Sequence, residues 1–370
     1  MVPRYGPVGG GERFVMALTE QLAKNPRLEM HVFANSWEKG IGGIIFHKVP
    51  VIKFPRFLTT VSFAWLAHRQ IKASGMDLIH THDRILHADL FTAHGIPHKD
   101  WTRDVRQKRP SLFDRTTAWV ENRLVTSNRC RYIMPVSTLA GERIIKTFPD
   151  IDDKVSVVHP GVDIKPFEGL DRARCRMQIR QRFGLSHSDR VVLFVGMNFE
   201  VKGLKKIMAA VAHLKNKQPN AVTKLLVVGK GDQKHYQKLA RKLDIADRVV
   251  FTGVWKDEIA PIYMACDLFA MLSVYDTFGL TVLEAMAAGL PVIISPTVGA
   301  RDIVREGKNG FVVDPEQSGE ISQRMETALN PTHNAQMAKS ARTTARAHTW
   351  SAIAKKVTAI YSELLNRDLM

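Results

Sequence analysis

Cysteine is scarce: Cys130, Cys175 and Cys266 are the only three in 370 residues, far apart and without C-x-x-C or Cys/His metal spacing. That excludes a disulfide scaffold and a zinc site, and reduced thiols are the simplest state. No apolar run approaches the ~18–20 residues of a membrane-spanning helix. The opening Met1-Val2-Pro3-Arg4-Tyr5 has no apolar stretch behind a basic start, so no secretory signal is read there and a cytoplasmic location is expected. Low-complexity tracts and internal repeats are also missing, which excludes a solenoid. Acidic residues run short: 36 Asp and Glu face 53 Lys and Arg, a formal charge of +17. Such a field gathers anionic partners, whether nucleotides, anionic lipid, phosphorylated glycan or nucleic acid, and does not choose among them.

What is present is ordinary for a globular chain, 45% hydrophobic and 24% charged, with a length that suits two domains. Short β-rich runs alternate with longer helical stretches, the pattern of parallel sheets flanked by helices. A first series contains 30–34, 43–46, 77–80, 90–93 and 132–136 and closes at the Pro160-Gly161 turn. A second contains 191–196, 225–229, 249–253, 268–271 and 292–294, several ending in glycine where a strand turns toward a helix near a ligand. The expected division is a first domain over 1–163, a second over 164–351, and a final helix over 352–370 packing back on the first domain. Beyond residue 316 the chain reads as helical.

The segment Tyr275-Asp276-Thr277-Phe278-Gly279-Leu280-Thr281-Val282-Leu283-Glu284 reads as a loop followed by a helix that Gly289 and Pro291 end. Backbone N–H groups of Phe278, Gly279 and Leu280 then face outward as an anion site suited to a diphosphate. Asp276 precedes the helix and Glu284 lies two turns on, placed for one carboxylate to bond sugar hydroxyls and the other a ribose. This segment resembles the E-x7-E signature of retaining glycosyltransferases of the family 4 (group 1) type, and the likeness extends over nearly the whole chain. It implies an α/β GT-B fold, two facing Rossmann-like doubly wound domains with a cleft between them. The first position of the signature is Asp here, one methylene shorter, which leaves open the donor hydroxyl contacted.

The resemblance carries over further residues. Gly196, Lys202 and Gly203 match the family's strand-end glycine and Lys-Gly, so Lys202 is expected to neutralise the diphosphate as it departs; Met197 and Val201 stand where many members carry an arginine. Gly9, Gly10 and Gly11 match the glycine-rich first loop beside donor phosphates and acceptor. The hydrophobic strand that normally precedes that loop is almost absent, so either the sequence is truncated or the first sheet lacks its central strand. His94, ending the run 90–93, matches the histidine that faces the donor sugar, and Val254 falls where the nucleobase pocket lies. Asp89, Asp83 and Arg13 are acceptor-side candidates. No metal and no cofactor beyond the nucleotide-diphosphate sugar is implied, because helix dipoles and basic side chains hold the diphosphate in this family.

Residues 31–38 and the acceptor-side segments are most similar to bacterial lipopolysaccharide-core glucosyltransferases. That implies a UDP-hexose donor and a glycan or glycolipid acceptor. Aromatic and basic residues interleave in 53–57 and 101–109, which suits peripheral contact with the anionic inner-membrane surface. A GT-B epimerase or phosphorylase and a non-catalytic nucleic-acid or anionic-surface binder on the same scaffold are the competing readings. No recognised nucleic-acid motif supports the last, and nucleic acid is not an expected partner.

Overall fold

The computed structural model describes residues 1–7, 9–38, 42–255 and 257–370. Val8, within the glycine-rich loop, lies outside the described residues. The chain divides into two compact units, Met1–Gly161 with Trp350–Met370, and Val162–Thr349. Both crossings fall two residues before the expected positions, at 161/162 and 349/350. Val162 donates its N–H to the His348 carbonyl at 2.8 Å and pairs with Thr349, so the two crossing points of the second unit are tied side by side.

The first unit contains β1 (Arg4–Tyr5), β2 (Met30–Ala34), β3 (Ser36–Trp37), β4 (Ile44–Lys48), β5 (His80–Thr81), β6 (Leu90–Ala93) and β7 (Tyr132–Pro135). The ladders β1–β3, β2–β4 and β5–β6–β7 are all parallel. Backbone bonds of residues 1–3 join them: Val2 N–H to Phe33 O at 3.3 Å, Asn35 N–H to Pro3 O at 2.9 Å, and His82 N–H to Met1 O at 2.9 Å. The central strand expected to be missing is therefore present in short form, with residues 1–5 filling the slot between β2 and β5. Buried Val2 and Tyr5 anchor it in the core, and the Tyr5 ring meets Phe46 edge-on at 5.2 Å. Pro3, which lacks an N–H, limits the ladder it can form. The closing helix Trp350–Leu365 belongs to this unit, where the Trp350 ring packs edge-on against Phe14 at 5.2 Å.

The second unit contains β8 (Arg190–Gly196), β9 (Thr223–Gly229), β10 (Val249–Gly253), β11 (Leu268–Met271), β12 (Val292–Ile294) and β13 (Gly310–Val312). They form one six-stranded sheet, order β10-β9-β8-β11-β12-β13, with every pair parallel. The strands read as near-continuous apolar runs because helices cover both faces. Val192, Phe194, Leu225, Val227, Leu268 and Ala270 are fully or almost fully buried, against Ile207, Met208 and Val211 of helix Leu204–Lys217. In this order the chain winds outward one way from β8 and then the other way from β11. The switch point of a doubly wound sheet, where its ligands bind at the carboxyl edge, thus lies between these two neighbours. β13 was not foreseen: it is three residues long, and its Gly310 lies so close to Val292 that a Cβ would sit 2.3 Å from that carbonyl oxygen.

Candidate functional site

Both sides of the switch point carry a charged group. Beyond β8 the chain makes a tight loop in which Val201 N–H bonds Asn198 Oδ1 at 3.1 Å and Lys202 N–H bonds Asn198 O at 3.0 Å. Gly203 closes it at φ +75°, and a Cβ there would lie 1.9 Å from the Leu272 carbonyl oxygen, so only glycine permits this approach. Gly196 gives room of a similar kind, since a Cβ on it would stand 3.0 Å from Lys202 Cγ. The lysine stem thus lies across the strand end, and its ammonium forms an ion pair with Asp276 Oδ2.

Beyond β11 the loop that carries Asp276 is held on three sides. Asp276 N–H donates to Thr297 O at 3.0 Å, and Gly299 N–H donates to Asp276 O at 2.9 Å. Ser273 Oγ lies 2.9 Å from Val201 O, while the hydroxyls of Ser295 and Thr297 both donate to Ser273 O, at 2.7 and 2.6 Å. Loops following β8, β11 and β12 are bonded into one platform. Gly279, at φ +90°, then starts helix Leu280–Ala287, whose first N–H groups have no partner within the helix and form its positive end. One expectation is corrected here: the Phe278 N–H does not face outward but donates to Asp276 Oδ1 at 3.3 Å, and Phe278 is buried. Gly279 and Leu280 keep their expected place at the helix start. Glu284, about one turn into this helix, accepts a 2.8 Å hydrogen bond from the hydroxyl of the fully buried Tyr263. Sequence reasoning missed Tyr263; Pro261 at the start of helix Ala260–Ala265 marks the helix, but nothing local links its tyrosine to a glutamate 21 residues on.

Val254 is half-exposed and follows β10, the edge strand two places from β8, so it stands apart from the Lys202–Asp276 pair.

In the first unit the glycine loop and His94 come together. Helix Gly10–Leu22 begins after extended Gly9, and a Cβ on Gly11 would lie 3.7 Å from His94 Cγ. The Glu12 carboxylate folds back toward Gly9, giving this helix its own negative counter-charge. Arg13 is exposed in the first turn. His94 Nε2 lies 3.2 Å from His82 Nδ1, the two rings stack at 5.4 Å, and Phe14 meets His94 edge-on at 4.7 Å. Next in the row, His80 contacts Tyr361 Oη and Thr92 Oγ1, both at 2.7 Å. Burial holds His80 and His82 well below the usual imidazole range and lowers His94 to about 4, so the row is neutral at pH 7 and exchanges hydrogen bonds without charge. A cavity of about 360 Å³ opens beside His94, lined also by Glu12, Asp83, Arg84 and Glu121.

Asp89 is a correction. Its carboxylate accepts the Ile79 N–H at 2.9 Å from the amino end of β6, whereas His94 follows the carboxyl end. Four strand residues lie between the two, a span of five steps or about 16 Å at the usual rise. A backbone-holding carboxylate at the opposite edge of the sheet has no access to an acceptor bound near His94.

A doubly wound sheet with a lysine, an acid and a helix start at its switch point is an arrangement suited to a phosphate-bearing ligand. The comparisons make this specific. Residues 8–165 match the model for glycosyltransferase family 4, and residues 176–346 match that for glycosyl transferases group 1. Among curated relatives, an uncharacterized glycosyltransferase of Methanocaldococcus jannaschii is 28% identical over 87% of this chain and 86% of its own. The D-inositol 3-phosphate glycosyltransferase of Streptomyces scabiei is 27% identical over 98% of this chain and 88% of its own. Among solved structures, WaaG, a glycosyltransferase involved in lipopolysaccharide biosynthesis, aligns with a TM-score of 0.76 at 21% identity, covering 97% of this chain and 99% of that one. Anabaena HepE in complex with UDP-glucose aligns at 0.72 and 18% identity, covering 98% of each chain. The chain belongs to the glycosyltransferases of the family 4 and group 1 type and has their GT-B fold. It is a transferase, and the non-catalytic binder reading falls away.

Proposed function

We propose that this glycosyltransferase moves a hexose, glucose in the first instance, from a UDP-linked donor to a glycan or glycolipid such as a lipopolysaccharide core, with retention of anomeric configuration. The observation that carries the donor side is the meeting of Lys202, Asp276 and the helix start at Gly279 on the switch point, with Glu284, on that helix, held by Tyr263 of helix Ala260–Ala265. Lys202 and the helix N-terminus stabilise the departing diphosphate, whose oxygen takes the acceptor proton on the face it leaves; no protein nucleophile is required. Neutral His94 hydrogen-bonds the sugar. HepE, solved with UDP-glucose, and WaaG, of lipopolysaccharide biosynthesis, support this donor and acceptor class by analogy of fold.

Attachment to an anionic membrane face is part of the same reading. Helix Leu58–Ser74 has no acidic residue, and the two acids of helix Leu112–Val125, Asp114 and Glu121, are buried. Their outer faces carry the exposed Trp65 and Trp119 with Arg69, Arg115 and Arg123, and Phe54 stands 88% exposed nearby in sequence. Tryptophan beside cations, free of acids, suits the headgroup layer of anionic lipid. No helix among the described residues is long and apolar enough to cross a membrane. The reading is tested by incubating the protein with UDP-glucose and a lipid-linked core glycan and reading the new linkage by NMR: an α-linked product from the α-configured donor is expected, and a β-linked product would overturn retention.

A further inference from the structure

The Lys202–Asp276 contact bears on what the shortened acid does. Asp276 has little freedom: its backbone is bonded on both sides to the 297–299 strand extension, and it pairs there with Val298. Both carboxylate oxygens are engaged by the protein, Oδ1 by the Phe278 N–H and Oδ2 by the Lys202 ammonium. The lysine is equally constrained, with its loop closed by Gly203 and its stem laid over Gly196. Both side chains are mostly shielded from water, at 25% and 17% exposure for Lys202 and Asp276. An ion pair so shielded is less weakened by solvent than one on an open surface. From this pinned backbone the aspartate ends at the lysine.

We propose that Asp276 is the internal counter-ion of Lys202, a positioning residue that holds the ammonium over the switch point and must give it up when the donor diphosphate arrives. This rests on the donor reading above and reassigns Asp276 from a sugar contact to the group that sets diphosphate affinity. The diphosphate carries more charge than the carboxylate and presents several oxygens, so it takes the lysine, while the need to break the pair weakens binding. Once the product diphosphate is ready to leave, Asp276 recaptures Lys202 and assists release.

The two roles separate in binding measurements on donor fragments. The intact chain and its Asp276→Asn variant are titrated by calorimetry with UDP, UDP-glucose and uridine. If Asp276 is the counter-ion, Asp276→Asn tightens UDP and UDP-glucose alike, by about three- to tenfold for a partly shielded pair, and leaves uridine unchanged. Asp276→Glu, which keeps the charge, stays within about twofold of the parent for UDP. In a Lys202→Met background the Asp276→Asn change has no effect on UDP, which also shows that the gain acts through the lysine and not through altered folding. Weaker UDP-glucose binding with unchanged UDP in Asp276→Asn means a sugar contact and overturns the proposal alone; unchanged or weaker UDP binding also overturns it. A parent chain that binds UDP, GDP and ADP not at all overturns the donor reading and the proposal with it.

Discussion

Replacing Tyr263 by Phe removes one oxygen and little else, because the ring is fully buried among neighbours that keep its shape. The lost interaction is the 2.8 Å bond to Glu284 Oε2. A hydrogen bond to a charged acceptor contributes about 1.5–3 kcal/mol net. Glu284 is partly exposed, so water takes up some of the vacated lone-pair capacity, and about 1–2 kcal/mol of orientation remains at stake. If Glu284 bears the donor ribose, that is a fivefold to thirtyfold rise, roughly, in the dissociation constant of the nucleoside diphosphate. The assay is a calorimetric double-mutant cycle with Tyr263→Phe, Glu284→Ala and the pair, alanine leaving the Tyr263 hydroxyl no acceptor at that position. Tyr263→Phe should weaken binding in the native background and do almost nothing once Glu284 is already Ala. Equal weakening in both backgrounds would mean that Tyr263 acts through the core and not through Glu284.

Gly203→Ala forces a Cβ to within 1.9 Å of the Leu272 carbonyl at a φ of +75°. The left-handed backbone alone costs about 1–2 kcal/mol, and the overlap adds to it, so a loss of at least 2 kcal/mol, roughly, is expected in urea denaturation together with loss of transfer. Parent-like stability would show that the loop does not pack on Leu272. The histidine row gives a pH signature. His94 titrates near 4 when folded and near 6.5 when unfolded, so its stabilising contribution is whole above about 6.5 and is lost as pH falls toward 4. In that window each such histidine steepens the fall in unfolding free energy by up to about 1.4 kcal/mol per pH unit. His94→Gln should flatten the slope relative to the parent, and an unchanged slope would show that His94 is not buried as a neutral ring.

The alternation of apolar strand and helix made the second sheet readable. The runs 249–253, 268–271 and 292–294 coincide with β10, β11 and β12, because parallel strands covered on both faces leave a continuous apolar signature. β13 escaped because three residues around Gly310 give no such run. The short N-terminal strand segment, residues 1–5, was misread for a related reason: Val2 and Tyr5 are its buried side chains, and its place is fixed by backbone bonds of residues 1–3 to Phe33, Asn35 and His82 that leave no mark in the pattern. The site shows the same division. Gly196, Lys202 and Glu284 could be named through the likeness to the family's strand-end glycine, Lys-Gly and acidic signature, and Gly279 as the start of the helix that carries Glu284. Partners could not: that Asp276 turns to Lys202, that Tyr263 holds Glu284, and that Asp89 serves the Ile79 N–H are matters of tertiary proximity between residues 10 to 74 positions apart.

The most direct measurement is turnover of a panel of UDP-, GDP- and ADP-sugars with a glycan acceptor, run on the intact chain beside Glu284→Ala and Lys202→Ala. One nucleotide sugar should be consumed, with release of its nucleoside diphosphate, and both substitutions should abolish that turnover while leaving the fold intact by circular dichroism. Undiminished turnover in both variants would mean that donor chemistry takes place away from the switch point between β8 and β11.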